Sequence, residues 1–149
     1  MPPAAQTLGF EFIAASEESI EIAFHASHEF TTPLGDVLGG FLAAMLYDTV
    51  GPAVLSTLGH GEFIRTLDLS THFLRPASPG RLIGRGRILK RTDDIVVVEA
   101  SLADENALVA IAMATILIVP IESPSSASPS TSCGQSARVP AHKSQGDRA

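Results

Sequence analysis

A glycine pair, a tyrosine and an aspartate share one apolar stretch, "VLGGFLAAMLYDTVGPAV", which starts at Val37. With histidine counted neutral, Asp48 is the single charge between Asp36 and Glu62. Gly39 and Gly40 stand where this stretch would begin a helix. Backbone amides of a first helical turn lack intrahelical partners and carry the positive end of the helix dipole. Glycine also lets a ligand or another backbone come close to them. An oxyanion placed there is stabilised, and loss of one such donor costs about 2.7–4 kcal/mol in an acyl-transfer enzyme. The same pair also serves as a plain loop-to-helix transition or a packing notch. A lone carboxylate among apolar side chains is costly to bury. Asp48 is therefore paired, at an interface with water, or in a site that uses its charge. Tyr47 and Asp48 follow the glycines by roughly 12–13 Å of helix axis, too far for one ligand atom to touch both ends in one subunit. If amide and acid cooperate, they come from two subunits across an interface.

The elements that must position these groups are legible from hydrophobic patterning. "LGFEFIAAS" and "SIEIAFHAS" are two β-like runs around the turn Glu17-Glu18. The long apolar helix follows, and then four more β-like runs: "EFIRTLDLSTHFL", "RLIGRGRILKR", "IVVVEASLA" and "ALVAIAMATILIV". Short links between the last strands predict antiparallel hairpins. In the last run Ala110, Ala112 and Ala114 share one face with Ile116 and Ile118, while Val109, Ile111, Met113 and Leu117 share the other. A face of alanines lets another element approach closely. The helix is apolar all round, the pattern of a helix covered on every side. An antiparallel sheet curled around that helix satisfies both, and the second apolar face points to burial against another subunit.

The totals narrow the function classes. The chain has 149 residues, is 45 % apolar and carries a net charge of −6. Residues 1–120 suit one compact domain. The negative charge lacks the footprint of a nucleic-acid binder and gains nothing from an anionic membrane surface. One cysteine, Cys133, leaves no disulfide framework and suits a reducing cytoplasm. The opening "MPPAAQTLGF" has neither the basic nor the apolar region of a signal peptide. Val37–Leu58 is interrupted by Asp48 and Gly51-Pro52, and Ala107–Val119 falls short of the roughly 20 residues of a membrane span. From Ile121 onward the composition turns to Ser, Pro and Ala, with almost no large apolar residue. Such a segment, 121–149, is expected to be a disordered tail.

The stretches "PLGDVLGGFLAAMLYDTVGPAV", "RTLDLSTHFLRPASPGRLIGRGRILKR" and "ALVAIAMATILIV" resemble the hotdog-fold acyl-CoA thioesterases of the phenylacetate-degradation (PaaI-like) branch. "GGFLAAML", the following "GPA" and "FLRPASPG" make the resemblance specific. It implies an α+β hotdog fold in which an antiparallel sheet wraps one long helix, and a homodimer or a tetramer of paired dimers. It further implies hydrolysis of an acyl-CoA or related thioester, with coenzyme A entering only as part of the substrate. By position, Gly39 is the amide donor to the thioester carbonyl, with Gly40 beside it, and Thr66 is the strand hydroxyl that holds the attacking water. Leu38 stands where the family carries His or Gln, Thr32 where it often carries Asn, and Tyr47 where it carries the acid. Asp48 is one residue late. A phenol is a poor base at neutral pH, so either Asp48 acts or the site binds acyl thioesters and turns them over poorly. A purely structural subunit is the third reading, and it would have no pocket beside the helix.

The remaining candidates carry weaker signals. Thr66 alternates with Asp68, Ser70 and His72 on a polar strand face that is more often simply wet. Arg81, Arg85 and Arg87 share one face of the next strand. They form either a solvated strip or contacts to the phosphates of coenzyme A. Asp93 and Asp94, in the turn where many relatives have Gly-Arg, would repel phosphate, and an acyl group on a carrier protein is the other substrate form. His25 and His28 make a weak metal pattern with no third ligand at a characteristic spacing, so no metal is expected.

Overall fold

The computed structural model describes residues 1–105 and 107–121. A short helix, α1 (Pro3–Thr7), precedes strands β1 (Glu11–Ala15) and β2 (Ser19–Ala26). A 3-10 turn over His28–Phe30 then leads to the long helix α2 (Gly39–Leu55). Strands β3 (Glu62–Phe73), β4 (Gly80–Arg91), β5 (Ile95–Ala103) and β6 (Leu108–Pro120) complete one sheet of order β1-β2-β4-β5-β6-β3. All of its pairings are antiparallel. The sheet curls over α2, whose Leu42, Met45, Leu46, Val50 and Val54 are buried against Phe24, Leu82, Val98 and Ile116.

The expected hairpins hold for β4-β5-β6, but β3 and β4 do not pair. β3 joins β6 at the far side of the sheet, so residues 74–79 must cross the N-terminal end of α2. The Val37 N–H pins this crossing by donating to the Ala77 carbonyl at 2.7 Å, and Ala77 is fully buried. The expected inward face of β6 is confirmed. Ala110, Ala112 and Ala114 are buried, while Ile111 and Met113 on the other side stay exposed. Val109 departs from its predicted outer face and is buried. Residues 122–149, which hold nearly all of the expected tail and Cys133, lie outside the described residues.

Close contact between α2 and the sheet depends on β4. A Cβ added at Gly84 would lie 2.5 Å from Thr49 Oγ1 and 2.9 Å from the Phe24 ring. One at Gly86 would lie 3.1 Å from both the Ala53 Cβ and the Thr49 carbonyl. The alternation that puts Arg85 and Arg87 outside thus puts two glycines under the helix. Gly84→Ala is expected to destabilise the fold by about 1–3 kcal/mol, read as a lower urea midpoint with an unchanged slope.

Candidate active site

The predicted site residues fall into three places. The first is the start of α2. Leu38 is its N-cap, and the N–H groups of Gly39 and Gly40 find no acceptor among the described residues. A Cβ at Gly40 would meet nothing within 4 Å, and the residue is exposed. Gly39 is closer packed: a Cβ there would lie 3.2 Å from the Phe73 ring. Thr32 belongs to the preceding turn. Its hydroxyl accepts from Leu34 N–H, its N–H donates to the Asp36 carbonyl, and its carbonyl accepts from Gly35 N–H. Those local bonds occupy Thr32 in shaping the loop.

The second place is a cavity of about 640 Å³ between α2 and β3. Asp48, Gly51, Pro52 and Leu55 supply one wall at helical spacing, and Phe63 to Leu67 of β3 supply another. Tyr47 stands at the same wall and is half exposed. The structure therefore gathers Tyr47, Asp48 and Thr66. The Asp48 carboxylate oxygen Oδ2 is buried and has no hydrogen-bond partner among the described residues. Burial pushes its carboxyl above the ordinary aspartate range. The Thr66 hydroxyl likewise has no partner given by the described residues.

Thr66 reaches this cavity through a correction to the expected strand pattern. Simple alternation puts Thr66 on one face with Asp68, Ser70 and His72. The β3–β6 register instead runs Thr66 to Ile116 and then Asp68 to Thr115, which leaves Leu67 as the extra residue of a bulge. One extra residue exchanges the two faces from that point on. Thr66 thus shares the helix side with Ile64 and Leu69, both of which pack on the core. Asp68, Ser70 and His72 stay exposed. No residue type in "IRTLDLS" announces the bulge.

The third place is the outer face of the sheet, where Arg85 and Arg87 line a separate groove of about 740 Å³. Arg85 pairs with Glu21 at 2.9 Å and Arg87 with Glu99 at 2.7 Å. The two arginines, each paired with a carboxylate, lie apart from the Asp48 cavity of the same chain. Sequence reasoning also missed part of the Asp48 cavity, since Met1, Pro2, Ala5 and Phe10 line it too. The available signal was the opening Pro-Pro-Ala-Ala, with proline at a helix start. Among the described residues no group of three or more His, Cys, Asp or Glu is placed to hold a metal ion. No described helix is long and apolar enough to cross a membrane.

This sheet wrapped on one long helix is a hotdog fold, α+β in class. Residues 34–111 match the family model described as Thioesterase superfamily. A phenylacetic acid degradation-related protein from Ralstonia eutropha JMP134 is 39 % identical, covering 78 % of this chain and 90 % of that one, with a TM-score of 0.77. A thioesterase from Haemophilus influenzae is 24 % identical over 82 % of this chain and 86 % of its own, at a TM-score of 0.76. A thioesterase family protein from Silicibacter pomeroyi is 21 % identical over 80 % and 90 %, also at 0.76. The latter two share the fold. No curated protein matches. The chain belongs to the thioesterase superfamily, in its PaaI-like hotdog branch.

Proposed function

We propose that this protein hydrolyses an acyl-CoA, or an acyl thioester on a carrier protein, to free acid and thiol, and that it works as a homodimer or a pair of dimers. One observation carries the proposal: Asp48, with its unpartnered buried oxygen, shares an apolar cavity with Thr66. Asp48 acts as general base. It takes a proton from a water held by the Thr66 hydroxyl, and the resulting hydroxide adds to the thioester carbonyl carbon. The Gly39 N–H of a partner subunit, with Gly40 beside it, stabilises the oxyanion that forms. Collapse of this intermediate breaks the carbon–sulfur bond, and the proton held by Asp48 goes to the departing thiolate. The raised affinity of Asp48 for a proton suits both transfers.

Support for the dimer comes from the edge of the sheet. β3 pairs on one side only and carries exposed Phe63 and Leu67 near its start and exposed Phe73 at its end, with Leu74 just beyond. A long edge strand with unpaired backbone groups is a template for pairing. Two-fold pairing of β3 with its copy is antiparallel and isologous. It carries the Phe73 end of one chain, with Gly39 against it, toward the Phe63 end of the other, where the Asp48 cavity opens. Within one chain Gly39 and Asp48 are about 13 Å apart along the helix axis.

The test is thiol release across acyl-CoA chain lengths, with binding measured in parallel. Release in step with binding supports hydrolysis. Tight binding with no thiol released eliminates it and leaves a non-hydrolytic acyl-thioester-binding module, the reading suggested by Leu38 and by Tyr47 at the usual acid position. Thr66→Val is expected to lower kcat by roughly 10²-fold, the cost of a misplaced reactant, with KM little changed. An unaltered kcat would remove Thr66 from the water's path.

A further inference from the structure

We propose that the segment Met1–Phe10 determines specificity by walling the Asp48 cavity and limiting the size of the acyl group it accepts. This rests on the thioesterase reading of that cavity. The groove runs along α2 from Asp48 to Leu55, about 10 Å of helix axis. Its reactive groups, Asp48 and Thr66, lie toward one end, while Pro52, Leu55 and Phe63 are apolar. Met1, Pro2, Ala5 and Phe10 add a third wall with no polar side chain. That wall suits the acyl portion of a thioester rather than its carbonyl or its nucleotide.

The segment is held in place rather than draped. The His25 N–H donates to the Leu8 carbonyl at 3.1 Å, and the Phe10 N–H donates to the Ala5 carbonyl at 3.0 Å. Gly9 has a φ of +64°, and a Cβ there would lie 2.7 Å from the Cβ of His25, so the chain turns hard against β2 at a residue that must be glycine. Beyond the turn, the Phe10 ring meets Phe24 edge-on at 5.9 Å. Ala5 and Leu8 are buried, and the Gln6 side-chain amide donates to the Met1 carbonyl at 3.0 Å. A wall anchored at this many points resists displacement by a long chain, so acyl groups that outgrow the groove are rejected.

The experiment compares full-length wild type with Phe10→Ala, the milder Phe10→Leu, and Pro2→Trp at an exposed position. Thiol release is measured with acyl-CoA substrates from acetyl to palmitoyl and with phenylacetyl-CoA. Binding of non-hydrolysable S-alkyl-CoA thioethers of the same lengths is measured alongside, and folding is checked by circular dichroism. The expected wild-type selectivity falls off toward palmitoyl. Truncating Phe10 should raise the long-to-short ratio at least about tenfold, and Pro2→Trp should lower it, since a methylene in an apolar pocket is worth 10–200-fold. If folded Phe10→Leu and Pro2→Trp both keep the wild-type ratio, or if wild type takes palmitoyl as well as acetyl, the proposal is overturned. A shifted thioether ratio with no thiol released would support the wall and sink hydrolysis. Release with an unshifted ratio would sink the wall alone, and no binding of any thioether would sink both.

Discussion

Asp48→Asn is expected to cut thiol release by roughly 10²–10⁴-fold, the contribution of a positioned general base. Asparagine keeps the shape of the side chain but cannot take a proton from water. Binding of acyl-CoA should therefore persist. The pH dependence follows from the same burial. Because desolvation lifts the Asp48 carboxyl above the ordinary aspartate range, kcat/KM should rise with pH through that lifted value as the base ionises. Stability moves the other way. A carboxyl whose folded-state affinity for protons exceeds its unfolded one stabilises the fold fully below the unfolded pKa and loses that contribution as pH rises through the folded pKa. Asp48→Asn should thus raise Tm at neutral pH and leave it nearly unchanged in acid, where the aspartate is protonated in both states. Differential scanning calorimetry across pH checks this beside the rate measurements. Release that survives Asp48→Asn and rises in Tyr47→Asp would identify a degenerate site that lacks its acid.

Charging the β3 edge should abolish dimer and turnover together. Phe63→Asp and Leu74→Asp each place a carboxylate on an exposed apolar side chain, about half accessible in the single chain (53 % and 52 %). The fold of one subunit loses little from such a change, because surface substitutions typically move stability within about 0.5 kcal/mol. Paired strands, in contrast, would have to bury the new charges. Sedimentation should show monomers. Thiol release should fall at least about 10²-fold, because loss of an oxyanion donor alone has that cost. An active monomer would mean that Gly39 of a partner takes no part and that the oxyanion is held elsewhere.

Most of the fold was legible because its signals are local. The period-two runs, the alanines at 110, 112 and 114, and the all-apolar helix each report burial one element at a time. The resemblance carried by "GGFLAAML" and "FLRPASPG" set the family. The diglycine, Tyr47, Asp48 and Thr66 were identified as residues from type and spacing together with that resemblance. What the local pattern left open was decided by pairings between distant segments. β3 pairs with β6 rather than β4, and the Leu67 bulge in that pairing leaves Thr66 on the helix side with Ile64 while turning Asp68, Ser70 and His72 outward. The outer face of the sheet likewise holds Arg85 and Arg87 against Glu21 and Glu99, which come from different strands. The first ten residues close a wall of the cavity because β2 offers His25 and Phe24 as anchors. Hydrophobic period records which side of an element is buried. Register, bulges and the choice of neighbour depend on contacts between residues far apart in the chain, and only the assembled tertiary structure contains them.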